Sequence, residues 1–130
     1  MPTMIYGIGV DLVDIKRVEG AIERWGDKFI NRVFTAGERE ICYGRSSPSS
    51  AFSLRFAAKE AFSKALGVGM KKGVRWRDIE VFHFPGGRPG LRLHGRSSEI
   101  CKRENITGFY LSLSDEGGYG VAMVVLEKGQ

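Results

Sequence analysis

Cysteine, histidine and long apolar stretches are all scarce in this sequence of 130 residues. No apolar run approaches the ~20 residues that a membrane-spanning helix needs, so no membrane anchor is expected. The N-terminus lacks the basic and apolar segments typical of a secretory signal. The two cysteines, Cys42 and Cys101, lie far apart and outside any C-x-x-C motif, which argues against a disulfide framework or a structural zinc site. We therefore expect reduced thiols in a cytoplasmic protein.

The two histidines lie in strand-like runs without metal-ligand spacing, so we interpret His83 and His94 as structural. The spacing of the nucleophilic and basic residues likewise gives no argument for a Ser/His/Asp or Cys/His catalytic arrangement. No repeat, low-complexity tract or long linker divides the chain, and we expect one domain over residues 1–130. The hydrophobic fraction of 42% and the charged fraction of 27% exclude wholesale disorder.

The charge is basic, with 20 Lys and Arg against 15 Asp and Glu, a formal net charge of +5. Such an excess favours an anionic partner. Nucleic acid, a phosphorylated small molecule and an acidic protein all meet that description, and composition does not choose among them.

Apolar periodicity predicts helices in the first half of the chain and mainly strands in the second. Ile5 to Leu12 alternates like a strand, and a helix is expected from Asp14 past Ile22, reaching Phe34 with a break at Gly26. The remaining predicted elements are a short helix after the capping box Thr35–Glu38, a helix over Ser50–Leu66 that Gly67 ends, strands over Ile79–Phe84 and Leu91–His94, a helix over Ser97–Asn105, and a hairpin of Gly108–Ser114 with Tyr119–Leu126. This order indicates an α+β domain, with helices packed on a small antiparallel sheet.

The first strand carries two glycines and a carboxylate on one face, Gly7, Gly9 and Asp11. Residues without side chains leave space beside Asp11 that a bulky ligand could enter. The alternative is that the glycines mark a bulge and that Asp11 begins a turn.

The helix predicted over Ser50–Leu66 places Lys59, Glu60, Ser63 and Lys64 on one arc, opposite an alanine-rich face. A solvated face with a Glu60–Lys64 ion pair is one interpretation. The other is a site in which Asp11 and Glu60 hold a hard divalent cation such as Mg²⁺ and Lys64 neutralises a phosphoryl oxygen, provided that strand and helix meet.

Two basic segments offer surfaces to an anionic partner. Along one predicted helix, four basic side chains border an apolar stripe: Arg17, Arg24, Lys28 and Arg32. These side chains could dock an acidic protein, or they could form an ordinary solvated surface. Their alignment requires the helix to pass Gly26 without a large kink. The segment Gly67–Gly73 could cradle phosphate but lacks P-loop spacing, so a mobile loop that ends a helix is the preferred interpretation.

Two motifs in order, Ile8–Ile15 with Arg17 and then Arg55–Ala65, give the chain a resemblance over nearly its whole length. With them go Trp76–Val81 and the turn Gly87-Arg88-Pro89. The sequence resembles the holo-acyl-carrier-protein synthase family, the short bacterial branch of the 4′-phosphopantetheinyl transferases. The resemblance implies that family's fold.

The resemblance also implies an activity, a cofactor and an assembly. The family moves phosphopantetheine from coenzyme A to a serine of an apo acyl carrier protein, in fatty acid biosynthesis. The second product is adenosine 3′,5′-bisphosphate, and Mg²⁺ is required. Members are typically homotrimers with an active site at each subunit interface.

Site residues carry over by position. Asp11 and Glu60 match the family's metal-binding carboxylates, Lys64 matches a lysine near the pyrophosphate, and Arg17 matches a basic residue on the helix that faces the carrier protein. The residues expected at coenzyme A are Arg55, Lys59, Ser63, Gly87, Arg88 and Pro89. The chain departs from many relatives at Asp115, where they have a histidine, so no phosphate contact is assigned to Asp115.

Glu60, acting directly or through a metal-bound water, is our hypothesis for the general base. Two other classes of function compete with transfer. A small RNA-binding protein would explain the charge but not Asp11 and Glu60, and no RRM, KH or zinc-knuckle signature is present. A carrier-protein binder without catalysis would not need Asp11, Glu60 and Lys64 together.

Overall fold

The computed structural model describes residues 2–70 and 73–129, and the predicted α+β class is confirmed. In chain order the elements are β1 (Met4–Asp14), α1 (Ile15–Trp25), α2 (Asp27–Val33), α3 (Ala36–Tyr43), α4 (Pro48–Leu66), a short 3₁₀ helix (Trp76–Asp78), β2 (Ile79–His83), β3 (Pro89–Leu93), α5 (Gly95–Arg103), β4 (Ile106–Glu116) and β5 (Tyr119–Lys128). Within the described ranges, no helix is both long enough and apolar enough to cross a membrane.

The strands form two antiparallel sheets, one of three strands in the order β1-β5-β4 and one formed by the β2–β3 hairpin. Helix α4 lies across the larger sheet, and its side chains Phe52, Ala57, Ala61 and Phe62 are completely or almost completely buried in the core. The β4–β5 hairpin turns at Gly117 and Gly118, and the carbonyl of Gly118 accepts a hydrogen bond from the N–H of Ile15 at 3.0 Å. This bond joins the hairpin to the start of α1.

Two predicted helix boundaries are confirmed. Helix α4 ends at Gly67, whose φ of +86° is the left-handed conformation that glycine adopts most readily. Helix α3 begins with the capping box expected from Thr35 and Glu38, in which each side chain accepts a hydrogen bond from the other residue's N–H. Lys71 and Lys72, part of the loop expected after α4, lie outside the described residues.

The helix predicted up to Phe34 is interrupted at Gly26, as the sequence indicated, and the interruption divides the predicted basic stripe. Gly26 has a φ of +55°, so α1 and α2 are separate helices. The side chain of Trp25 is 54% exposed instead of lying along a continuous apolar face. The prediction of one continuous basic stripe, which required a helix without a large kink at Gly26, is therefore wrong. Arg17 and Arg24 belong to α1, and Lys28 and Arg32 belong to α2.

The two glycines of β1 lie against the backbone of α4. A Cβ atom added at Gly7 would lie 1.9 Å from the carbonyl oxygen of Ala65, and one added at Gly9 would lie 1.9 Å from that of Ala61. The space that the sequence offered to a bulky ligand is therefore filled by a helix. The alternative interpretation holds in part, because the strand register shifts between Ile5 and Gly7.

The opposite face of this sheet is apolar and exposed. Residues directly opposite each other in neighbouring strands point to the same side, and this face includes large side chains that are 44–68% exposed: Ile8, Val10, Leu12, Tyr110 and Met123. An exposed patch of this kind marks an interaction surface more often than plain solvation.

The close packing of β1 on α4 predicts that adding a single methyl group to a glycine of β1 strongly lowers the stability of the fold. Gly9→Ala should destabilise the fold by about 3 kcal/mol or more, because backbone atoms cannot move aside as a side chain would. Gly20→Ala, in α1 with open space around its Cβ, should stabilise it by about 0.5–1 kcal/mol. Urea denaturation of the two variants measures both values. Equal stability of the two variants would contradict the packing described here.

Candidate active site

A cleft of about 410 Å³ opens where β1, α1 and α4 meet. It is lined by the carboxylates Asp11 and Glu60, by Arg17, and by the aromatic side chains Phe29 and Phe56. Strand and helix therefore do meet, which the sequence could not establish, and the structure brings together both predicted metal-binding carboxylates and one predicted docking residue.

Lys64 forms an ion pair with one of the two carboxylates, Asp11. Its ammonium donates hydrogen bonds to Asp11 Oδ1 and to the carbonyl of Val10, both at 3.1 Å. Asp11 and Lys64 are 53 residues apart in the chain, so the contact depends on the packing of β1 on α4. The structure has this ion pair across two elements where the sequence suggested a Glu60–Lys64 pair along the helix. The Lys64 side chain is about half exposed and remains accessible to a ligand.

Glu60 has the electrostatics of a candidate base. Burial raises the pKa of its carboxyl group, the negative charge of Asp11 raises it further, and Lys64 opposes the shift. A carboxylate with a raised pKa accepts a proton more readily than an ordinary surface glutamate. The effect of Asp11 on the pKa of Glu60 also indicates that the two carboxylates interact electrostatically.

Asp11 and Glu60 suit a hard cation that takes its remaining ligands from water or a substrate. The described residues contain no group of three or more His, Cys, Asp or Glu side chains placed to hold a metal ion. Two carboxylates in an open cleft nevertheless suit Mg²⁺, which is commonly bound by one or two carboxylates and takes its other ligands from water and phosphate oxygens.

The structure contradicts the assignment of Lys59 to coenzyme A. Its side chain is completely buried, and its ammonium donates to Glu38 Oε1 at 2.8 Å and to the carbonyls of Trp76 and Ile79. Burial lowers the pKa of Lys59, and the Glu38 carboxylate opposes that shift. The helical wheel grouped Lys59 with Glu60, but Lys59 faces the second sheet, so it is a structural residue.

The side chain of Ser63, which the sequence also predicts to contact coenzyme A, lies in the protein interior. It is 1% exposed, and its hydroxyl donates to the carbonyl of Glu60 in the same helix at 2.8 Å. A serine that bonds to the preceding turn of its own helix has no donor left for a ligand. The predicted polar arc of α4 is therefore reduced to Glu60 and Lys64.

A second cleft, of about 450 Å³, lies on the other side of α4 and contains three of the predicted coenzyme A residues. Arg55, Gly87 and Pro89 line it, together with His83 and Asp115. Arg88 does not line this cleft; its guanidinium lies over the ring of Phe84, 4.8 Å from the centroid. The β2–β3 turn thus brings Gly87 and Pro89, but not the Arg88 side chain, to the cleft wall.

Arg55 is 3% exposed but only partly bonded. Its Nη1 donates to the carbonyl of Ala51 at 3.1 Å, whereas Nε and Nη2 have no partner. His83 Nδ1 is buried and unpartnered as well. The sequence analysis missed His83 and Arg45 at this cleft, because neither lies in a motif and no spacing relates them to Arg55.

The predicted docking residues lie on two helices beside the first cleft. Arg17 lines it, and Arg24 projects from the last turn of α1, where its guanidinium lies 5.1 Å from the centroid of the Trp25 ring. Lys28 lies in α2 and lines a shallow hollow with Trp25, Phe29 and Arg32. Exposed basic groups and apolar side chains thus occur together beside the carboxylates.

A small α+β domain with two carboxylates in one cleft, a lysine paired with one of them and a second cleft lined by arginines has the features of an enzyme that acts on phosphates. The family model for the 4′-phosphopantetheinyl transferase superfamily matches residues 7–124. The chain belongs to this superfamily, and its relatives place it in the holo-acyl-carrier-protein synthase family.

Relatives match almost from end to end. A holo-[acyl-carrier-protein] synthase of Geobacter metallireducens is 43% identical over 125 residues, 96% of this chain and 99% of that protein. One from Methylorubrum extorquens is 48% identical over 128 residues, 95% of this chain and 94% of that protein.

Solved structures of the same family share the fold. The holo-[acyl-carrier-protein] synthase of Neisseria meningitidis superposes with a TM-score of 0.90 at 37% identity, covering 96% of this chain and all of that one. The Helicobacter pylori enzyme, in complex with coenzyme A, gives a TM-score of 0.82 at 35% identity, covering 92% of this chain and 98% of that one.

Proposed function

We propose that this protein transfers 4′-phosphopantetheine from coenzyme A to a serine of an apo acyl carrier protein, with Mg²⁺ as cofactor, and so serves fatty acid biosynthesis. The observation that carries the proposal is that Asp11 and Glu60 line one cleft and that Lys64 forms an ion pair with Asp11. The family of the chain and the names of its relatives support the same reaction.

The reaction is a displacement at phosphorus. The serine oxygen bonds to the β-phosphorus of the coenzyme A pyrophosphate, and the bond from that phosphorus to the bridging oxygen breaks. Adenosine 3′,5′-bisphosphate leaves with the bridging oxygen. The serine proton passes to Glu60, directly or through a water molecule, because its raised pKa suits a base.

Charge builds on the leaving phosphate, and the first cleft holds groups that oppose it. Lys64, half exposed and hydrogen-bonded to Asp11, is placed to neutralise a phosphoryl oxygen. Asp11 and Glu60 would hold Mg²⁺, which when bound orients the pyrophosphate and offsets its charge.

The second cleft suits the remainder of coenzyme A. Arg55, which has two unpartnered nitrogens, lines this cleft together with Gly87 and Pro89. The Helicobacter pylori relative was solved with coenzyme A. We retain Arg55, Gly87 and Pro89 as coenzyme A contacts; Arg88 does not line the cleft and is not retained.

We further propose that the protein is a homotrimer, with a cytoplasmic location. The exposed apolar face of the β1-β5-β4 sheet is the surface that supports self-association. Free Cys42 and Cys101 agree with a reducing compartment, and burial raises the pKa of each thiol to about 11.

Arg17, Arg24 and Lys28 are proposed to dock the acidic carrier protein. They lie beside the first cleft, so a carrier bound to them would bring its serine near Glu60. Exposed charges of one sign steer an oppositely charged partner and set its orientation.

The transfer is tested by intact-mass spectrometry of an apo acyl carrier protein incubated with the protein, coenzyme A and Mg²⁺. We expect a metal-dependent gain of one phosphopantetheine group. Asp11→Asn and Glu60→Gln should each lower kcat/KM by roughly 10²- to 10⁴-fold, because they remove a metal ligand or the base. Glu99→Gln, at an exposed position of α5, is the matched control. Full activity of Asp11→Asn at saturating Mg²⁺ would refute the assignment.

The docking proposal predicts a selective rise in KM. Because Arg17 also lines the active cleft, the informative variant is Arg24→Glu/Lys28→Glu. Its KM for the carrier protein should rise about tenfold, with little change in KM for coenzyme A, and the difference should shrink as salt screens the charges. Lys102→Glu/Arg103→Glu on α5 is the charge-matched control. An equal rise in both double variants would exclude a specific docking surface.

The trimer proposal predicts that a charge on the apolar sheet face blocks assembly. Light scattering of the wild-type protein should give three times the subunit mass, whereas Leu12→Lys should give monomers, because an interface would have to bury the ammonium. Asn31→Lys adds the same charge at an exposed position of α2 and should remain trimeric. A monomeric wild-type protein would contradict the trimer proposal.

A further inference from the structure

A third cleft, of about 560 Å³, lies between α2 and the short 3₁₀ helix. Three arginines line it: Arg32 from α2, Arg75 from the residue before the 3₁₀ helix, and Arg77 from that helix. The third cleft shares no lining residue with the first or the second cleft. None of its lining residues belongs to β1, β4 or β5, whose apolar face is proposed to assemble. It is therefore separate from the residues assigned to the reaction and to the trimer.

The three arginines of this cleft lack a counter-charge. Their side chains are exposed, and no carboxylate in the described part of the chain forms an ion pair with Arg32, Arg75 or Arg77. Positive side chains that share a concave surface reinforce one another's electrostatic field and concentrate anions there. The arrangement therefore favours an anionic occupant.

The acidic groups beside the cleft are engaged with other partners. Asp78 lines the cleft, and its Oδ2 accepts a hydrogen bond from the N–H of Arg75 at 3.3 Å. Glu80 lies 2.8 Å from His94 Nε2 and accepts a hydrogen bond from the hydroxyl of Thr35 at 2.9 Å. Three guanidinium groups against the single carboxylate of Asp78 leave the lining of the cleft basic.

The donors and the size of the cleft define the chemistry of the anion. A guanidinium group donates up to about five N–H bonds in a planar fork that matches phosphate oxygens, and Asn31 adds an amide to the lining. A phosphate group offers three acceptor oxygens where a carboxylate offers two, so it satisfies more of these donors. The volume lies within the range of small-molecule sites, about 300–1,000 Å³, and leaves room for more than one phosphate group.

We propose that the third cleft binds a small molecule with at least two phosphate groups, held by Arg32, Arg75 and Arg77. This site goes beyond the proposed function, because none of the three arginines is assigned to the transfer reaction or to carrier docking. It also gives Arg32 a role. The sequence placed Arg32 in a basic stripe that Gly26 interrupts, whereas the structure groups it with two arginines from a distant part of the chain.

A nuclear magnetic resonance titration of the isotope-labelled protein with inorganic pyrophosphate tests the site residue by residue. In metal-free buffer the first cleft lacks the cation that would hold phosphate there. We expect the amide signals of Asn31, Arg75 and Arg77 to shift and to reach saturation, while Gly87 reports separately on the second cleft. Unchanged signals at Asn31, Arg75 and Arg77 in millimolar pyrophosphate would overturn the proposal.

A double variant tests the arginines themselves. Arg75→Gln/Arg77→Gln should raise the dissociation constant, followed through Asn31, about tenfold or more, because charge-assisted hydrogen bonds are lost. Both arginines are exposed, so the variant should fold. Lys102→Gln/Arg103→Gln removes the same two charges at exposed positions of α5 and should leave the constant unchanged. Equal weakening in both variants would mean that net charge alone attracts pyrophosphate, and would overturn the site.

Malonate tests the preference for phosphate, because it presents two carboxylates in place of two phosphate groups. Its dissociation constant at the third cleft should be about tenfold higher than that of pyrophosphate, and equal affinity would contradict the proposed ligand class. The transfer assay keeps this site distinct from the proposed function. Pyrophosphate binding here without transfer to any apo carrier would support the site and contradict the reaction, and transfer without binding here would do the reverse.

Discussion

The contact of one backbone with another, where β1 lies on α4, is the constraint on which the site depends. The glycines at 7 and 9 allow the strand to touch the helix at Ala61 and Ala65, at a distance that no side chain could occupy. Because the elements are this close, Asp11 at the next inward position of β1 reaches Lys64, which lies between Ala61 and Ala65 in α4. A strand held further out by ordinary side chains would separate Asp11 from Glu60 and Lys64. Packing and chemistry therefore depend on the same two residues.

The buried pair of Lys59 and Glu38 fixes how α4 is rotated. Lys59 joins α4 to the carbonyls of Trp76 and Ile79, while Glu38 joins α3 to the N–H of Val81. Removing one partner of such a pair leaves an uncompensated buried charge and costs about 3–5 kcal/mol, whereas an exposed pair contributes about 1 kcal/mol or less. With Lys59 anchored toward the second sheet, its neighbour Glu60 is turned toward the first cleft.

Local chemistry made part of this structure predictable. The capping box at Thr35, the break at Gly26 and the left-handed end of α4 at Gly67 are encoded within a few residues. Asp11, Glu60 and Lys64 could be proposed from residue type, but their meeting depends on tertiary packing. Lys59 was misjudged because a helical wheel shows the direction of a side chain without showing what lies there. The three acceptors that it meets belong to Glu38, Trp76 and Ile79. His83 carried no signal, since its neighbours at the cleft come from distant elements.

The same alternation in β1 that builds the site also explains the exposed sheet face. With glycine at the inward positions, the strand has no apolar side chain to bury against α4 at those points, and Ile8, Val10 and Leu12 all point outward. Their burial needs a second surface, which the single chain does not provide within its described part. In the proposed trimer, the same apolar face of a second copy would cover them. The sequence Gly-Ile-Gly-Val-Asp-Leu thus couples three features: a close strand–helix contact, a carboxylate in the cleft, and an apolar face suited to self-association.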